Sequence, residues 1–229
     1  MLKTVRTIAN KFLKYHMSIR NSYLAILFYR FSDKYILPVL KQHLHHPNHI
    51  TALGTVLAAL VPFGFTVHPM LGSLMITFSA VIDVLDGHFA RVFNQSSEFG
   101  AFWDSSLDRI SDFFYLMGFW VLFHHSTHFI LATVMINYAL ITTFMISYVK
   151  ARAEALHKSC RKGLMDRGIR TLYLICWSLL LGSVSKNNRL LWFGLGLFCL
   201  LSTMTVIQRM LEIRSQCCPE KHPIKKSSY

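Results

Sequence analysis

Two runs of the chain, residues 50–82 and 113–149, contain no Asp, Glu, Lys or Arg, and two shorter runs, 171–185 and 190–207, share that property. A helix needs about 20 apolar residues to cross roughly 30 Å of hydrocarbon, so each long run holds two crossings and each short run one. Both long runs contain a break. Val67-His68-Pro69 interrupts the first, because proline lacks the N–H donor and clashes with the preceding turn. The polar cluster His124-His125-Ser126-Thr127-His128 interrupts the second. The expected fold is an all-α integral membrane protein with six transmembrane helices near 49–66, 70–92, 100–123, 129–155, 168–184 and 190–212.

Charge tests that topology. A net charge of +13 accompanies a mean hydropathy of +0.38, a combination foreign to disordered chains and unusual for soluble domains. Six crossings put both termini on one side. Of the 24 basic residues, only Lys186 and Arg189 fall on the other side. The positive-inside rule makes the rich side cytoplasmic, so the charge is an orienting rim and not a nucleic-acid surface. A bacterial inner membrane or its equivalent is the expected location, with the termini and active site facing the cytoplasm.

Three regions follow: a basic juxtamembrane segment over 1–46, the membrane domain over 47–214, and a basic tail over 215–229. In the first, Leu13, Met17, Ile19, Leu24, Ile26, Leu27 and Phe28 interleave with Lys11, Lys14, Arg20 and Arg30. That pattern suits an amphipathic helix lying in the headgroup layer; no cleavable signal is apparent. Cys160, Cys176, Cys199, Cys217 and Cys218 are expected to be free thiols. His43, His45, His46 and His49 form one histidine cluster and His124, His125 and His128 another; neither has a cysteine or carboxylate to complete a zinc set.

The acids are the anomaly. Five of eleven, Asp83, Asp86, Asp104, Asp108 and Asp112, lie inside or at the cytoplasmic end of expected spans. At about 2.5–3.5 kcal/mol per unpaired central charge, they would oppose insertion by roughly 12–17 kcal/mol unless a polar cavity or cations received them. Asp83 and Asp86 are three residues apart and Asp104 and Asp108 four apart, so each pair leaves one face of its helix, and the short connection near 93–99 brings the two faces together. Carboxylates so crowded need counter-cations, and an all-oxygen set favours two Mg²⁺ or Mn²⁺ ions. Gly87, Ala90 and Gly100 remove bulk beside them. Asp112 is expected to pair with Arg109 and stay outside the site.

Together these residues read Asp83-x2-Asp86-Gly87-x2-Ala90-Arg91-x8-Gly100-x3-Asp104-x3-Asp108, and with them the chain resembles the CDP-alcohol phosphotransferase family. The resemblance implies transfer of a substituted phosphate from a CDP-linked lipid, such as CDP-diacylglycerol, to a small alcohol, with release of CMP and use of divalent metal. It makes Asp83, Asp86 and Asp104 metal ligands and Asp108 a ligand or the general base. Gly87, Ala90 and Gly100 would make room for cytidine while Arg91 holds the diphosphate. Upstream, Pro47-Asn48-His49-Ile50-Thr51 resembles the family's Pro-Asn-x-x-Thr, which brings Asn48 and Thr51 toward the nucleotide. His88 occupies a variable position. A homodimer is also implied.

The segments Ser147-Tyr148-Val149-Lys150 and Arg167-Gly168-Ile169-Arg170 resemble the branch that makes phosphatidylinositol phosphate or its archaeal-lipid counterpart. Carried over, Ser147, Lys150, Arg167 and Arg170 bind the phosphate of the acceptor, inositol phosphate being favoured and glycerol 3-phosphate the rival. A divalent-cation transporter is the competing class. It would need polar residues continuing to the far side, whereas residues 56–65 and 114–123 are largely apolar.

Overall fold

The computed structural model describes residues 23–43, 46–160, 163–183 and 188–217. The expected amphipathic stretch from Lys11 to Arg20, Cys218 and the basic end of the tail lie outside them. Two short helices, α1 (Tyr23–Phe31) and α2 (Leu37–His43), joined by a π-helical turn (Ser32–Ile36), precede six longer ones: α3 (Pro47–Val67), α4 (Pro69–Val92), α5 (Glu98–Leu122), α6 (Phe129–Ala155), α7 (Arg167–Ser183) and α8 (Asn188–Cys217).

The breaks follow local chemistry. Pro47 and Pro69 open α3 and α4, where a missing N–H costs nothing. His68 adopts an extended backbone between those helices, and its Nδ1 accepts from Met70 N at 3.2 Å. Ser97 caps α5 by accepting from Gly100 N at 3.0 Å, with Glu98 in the positive first turn. Ala90 holds the α4–α5 turn, its carbonyl accepting from Gln95 N at 2.9 Å while Asn94 takes a left-handed backbone at φ 53°.

By length and composition α3, α4, α6 and α8 are each able to cross a membrane. The other two fall short for physical reasons. α5 carries Asp104, Asp108, Arg109 and Asp112 in its first 15 residues, and α7 has only 17 residues, with Arg167 and Arg170 in its first turn. Both are nevertheless packed into the bundle: α5 against α3 and α6, and α7 against α4. The other large interfaces join α3 to α4 and α6 to α8.

Close approach is built from small residues, as membrane helices require. A Cβ on Gly72 would meet the Phe65 ring at 2.5 Å, and one on Gly118 the same ring at 2.6 Å. Phe119 then stacks on Trp177 with ring centroids 4.1 Å apart. Tyr115 donates to Ser79 Oγ at 2.8 Å, and Ser79 donates to the Gly54 carbonyl at 2.7 Å, joining α5, α4 and α3 without an unpaired polar group. Phe63, Phe78, Ile130 and Phe193 cover the outside of the bundle and are exposed, an apolar exterior suited to lipid.

The two short helices reach the end of α4. Leu37, Ile50 and Phe89 form a small separate core, and Lys41 lies over the Phe93 ring, 4.3 Å from its centroid.

Candidate active site

Antiparallel α4 and α5 bring their acidic faces together at the end closed by the turn they share. Carboxylate oxygens of Asp83, Asp104 and Asp108 lie within 4.8 Å of one another, all three side chains partly buried. Asp86 is only 4% exposed, its Oδ2 has no hydrogen-bond partner, and the Thr51 hydroxyl from α3 lies beside its carboxylate. Carboxylates at this separation repel unless a cation stands among them. Arg167, the first residue of α7, reaches in: its Nη1 is 2.6 Å from Asp83 Oδ2 and 2.7 Å from Asp108 Oδ1. The all-oxygen donor set and the unpartnered, buried Asp86 oxygen suit a hard divalent cation.

The small residues of the motif flank the acids. A Cβ on Gly87 would touch only the Arg91 guanidinium, at 3.6 Å, so Arg91 lies over that glycine and the rest of its face is open. A Cβ on Gly100 would meet Ser97 Oγ at 3.0 Å and Asn48 Oδ1 at 3.5 Å. The start of α3 thus approaches the start of α5, drawing Asn48 and Gly100 together from opposite ends of the motif. Thr51 Oγ1 also donates to the Pro47 carbonyl at 3.2 Å, which fixes its rotamer on the first turn of α3. Ala90 is half-buried on α4. His88 turns elsewhere: its Nε2 is 2.6 Å from Asp33 Oδ1, and its ring lies 4.7 Å from that of Tyr29.

On the other side of Asp108 opens a cavity of about 620 Å³. Ser147 and Lys150 line it from α6, Arg167 and Arg170 from α7, and Asp108 with Arg109 from α5, so all four expected acceptor residues share one space. Their partners differ. Lys150 is exposed, with Glu154 one turn on at 4.0 Å. Arg170 is buried, donating to Asp112 Oδ2 at 2.8 Å and to the Met165 carbonyl at 3.1 Å. Asp112 therefore pairs across helices with Arg170 and not with Arg109, as its spacing along α5 had suggested; both charges are buried, and each is answered by the other.

Arg209 is a cavity residue that sequence reasoning assigned only to the orienting rim. It is 3% exposed, donates to the Ile146 carbonyl at 2.6 Å and pairs with Asp166. The signal lay in its helix face: Ser202, Thr205 and Arg209 recur at helical spacing and are all buried, an inward polar stripe on an otherwise greasy helix. Gly163, at φ 149°, lies directly against this stripe, where a Cβ would meet Arg209 Nε and Thr205 Cγ2 at 3.0 Å. Cys160, Cys176, Cys199 and Cys217 are free thiols.

Comparison with known proteins follows the same lines. Residues 44–210 match the family model described as CDP-alcohol phosphatidyltransferase. The chain is 33% identical over 175 residues to a phosphatidylinositol phosphate synthase of Mycobacteroides abscessus, a match covering 74% of this chain and 77% of that one. The crystal structure of the Mycobacterium tuberculosis phosphatidylinositol phosphate synthase with CDP-DAG bound superposes with a TM-score of 0.68 at 27% identity, over 82% of this chain and 97% of that one. The same enzyme in complex with manganese and citrate gives 0.69 at 25% identity, over 84% and 94%.

Proposed function

The chain belongs to the CDP-alcohol phosphatidyltransferase family, and we propose that it transfers the phosphatidyl group of CDP-diacylglycerol to a phosphorylated alcohol, inositol phosphate being favoured, with release of CMP. The observation that carries this reading is the position of Asp108, which belongs to the carboxylate cluster and also lines the cationic cavity. One side chain thereby faces both the group that leaves and the group that enters.

Asp83, Asp86, Asp104 and Asp108 are the residues to hold two Mg²⁺ or Mn²⁺ ions, which when bound offset charge on the diphosphate and on the departing CMP. The related synthase crystallised with manganese supports a divalent metal. Gly87, Ala90 and Gly100 leave room for the cytidine beside Asn48 and Thr51, and Arg91 lies where it can bind the diphosphate. Asp108 accepts the hydroxyl proton of the acceptor as its oxygen bonds to the phosphatidyl phosphorus and the bond to CMP breaks. Ser147, Lys150 and Arg167 hold the acceptor phosphate; Arg is the better bidentate partner and Lys a point charge. Arg170 shapes the same wall through its pair with Asp112.

In the membrane we place all six long helices as spans within a domain over 47–214. α5 keeps its acidic half toward the site, and both termini lie with the active site at the cytoplasmic face. The basic rim supports that orientation. Residues 1–46 then form a juxtamembrane segment and 215–229 a tail, and the exposed apolar faces accommodate lipid and a second copy of the chain. Beyond the acids, Tyr115, Leu116 and Phe119 are packed and buried, which leaves a dead-end cavity unlike the through-path of a transporter.

The test is a panel of acceptors, inositol phosphate, glycerol 3-phosphate, inositol and serine, each supplied with CDP-diacylglycerol and Mg²⁺ or Mn²⁺ while CMP is measured. Release with inositol phosphate above the others supports the reading. Preference for glycerol 3-phosphate would reassign the acceptor, and no release with any would overturn the enzyme.

A further inference from the structure

Arg167 stands where the carboxylate cluster and the cavity meet. Its Nη1 bridges Asp83 and Asp108, and the same side chain lines the cavity with Ser147 and Lys150. Its Nε–H has no hydrogen-bond partner. The backbone that carries it is pinned, because Met165 N donates to Thr205 Oγ1 at 3.1 Å and Asp166 pairs with Arg209. On the other side, the cavity of about 620 Å³ that Arg167 itself lines opens beside the side chain. A fixed root and a long head with room beside it permit two positions for the guanidinium.

The chemistry makes those positions exclusive. The oxygens paired with Arg167 are the ones a divalent cation would use, and a guanidinium and a dication repel at contact distance. Asp83 and Asp108 can hold the arginine or the metal. Resting on the functional reading above, we infer that Arg167 is a counterion displaced by metal and handed to the substrate: when Asp83 and Asp108 take up metal, its guanidinium turns into the cavity and binds the phosphate of the alcohol acceptor. The acceptor pocket thus acquires its bidentate cation only once the metal is in place, and linkage requires the phosphorylated alcohol to strengthen metal binding in return.

The experiment uses the full chain in detergent or nanodiscs, stripped of metal. Mn²⁺ binding is read by the paramagnetic resonance of the free ion, and inositol phosphate binding by calorimetry with and without Mn²⁺. In the wild type, saturating Mn²⁺ is expected to tighten inositol phosphate binding roughly fivefold or more, a typical coupling between linked sites. Arg167→Gln removes the competitor, so Mn²⁺ should bind several-fold tighter while most of the coupling to inositol phosphate disappears. Arg167→Lys keeps the charge but cannot bridge with a planar fork, and should fall between. It also serves should the glutamine variant fail to elute as a folded species.

Weaker Mn²⁺ binding in both variants would make Arg167 a mere support for the carboxylates and overturn the exchange. Unchanged coupling in Arg167→Gln would do the same, assigning the effect to direct contact between metal and phosphate. A wild-type chain that binds no Mn²⁺ would overturn the metal site itself, and with it both the functional reading and this one.

Discussion

Arg170 Nη2 lies 2.8 Å from Asp112 Oδ2 with both side chains almost fully buried, a charge pair that ties α7 to α5 inside the bundle. The two residues are 58 positions apart, and each would be costly to bury alone. Removing one member leaves the other uncompensated, which in proteins typically costs about 3–5 kcal/mol, whereas replacing both with apolar residues of similar volume is often neutral. Arg170→Gln and Asp112→Asn are each expected to lower the melting temperature in detergent sharply. Arg170→Met combined with Asp112→Leu should recover most of the loss. Equal instability of the double variant would show that the pair matters through the Met165 carbonyl contact instead.

Asp108 is expected to separate catalysis from folding. Asp108→Asn keeps the shape of the side chain and removes its ability to take a proton, so CMP release should fall by about 10²-fold or more while the protein still elutes as a folded species. Full turnover in that variant would remove the general-base assignment.

Lys150 offers a cleaner test of the cavity than Arg170, because it is exposed and its contact with Glu154 at 4.0 Å is weak. Lys150→Met should raise the KM for inositol phosphate by roughly tenfold, the loss of one charge-assisted contact, and leave the KM for CDP-diacylglycerol nearly unchanged. Parallel increases for both substrates would argue against a separate acceptor pocket.

Two glycines should behave oppositely when given a methyl group. A Cβ on Gly87 meets only the end of Arg91 at 3.6 Å, so Gly87→Ala is expected to fold normally, with about 1 kcal/mol of improved helix propensity, and to bind CDP-diacylglycerol less well. A Cβ on Gly118 would collide with Phe65 at 2.6 Å and Val61 at 2.9 Å, so Gly118→Ala should destabilise by about 1–3 kcal/mol through overpacking. Melting curves and substrate KM values measured on the same two preparations decide both. An unaltered KM in Gly87→Ala would withdraw that glycine from the proposed nucleotide site.

Much of the architecture was legible because its signals are local. Proline and polar clusters break helices wherever they occur, so the interruptions at His68 and at 124–128 could be placed to within a residue or two, and a helix of 27 residues was expected and found at 129–155. Spacing alone put Asp83 with Asp86 and Asp104 with Asp108, since a helix turns by a fixed angle per residue. Apolar runs counted crossings less securely. They treat α5 and α7 like the other helices, but α5 carries too many charged residues and α7, with 17 residues, is too short to qualify as a membrane helix by length and composition.

The amino-acid sequence by itself determined the helices, their breaks, the acidic motif and the family, because each depends on residues close together along one chain segment. Only the tertiary structure decided which cation answers which acid: Arg167 went to Asp83 and Asp108, Arg170 to Asp112, and Arg209 to Asp166. A basic residue at a helix end on the basic side of the bundle fits the positive-inside rule whichever way its side chain points. Its choice between rim, structural pair and substrate pocket is set by the helix packed opposite, and that packing emerges only when distant segments meet.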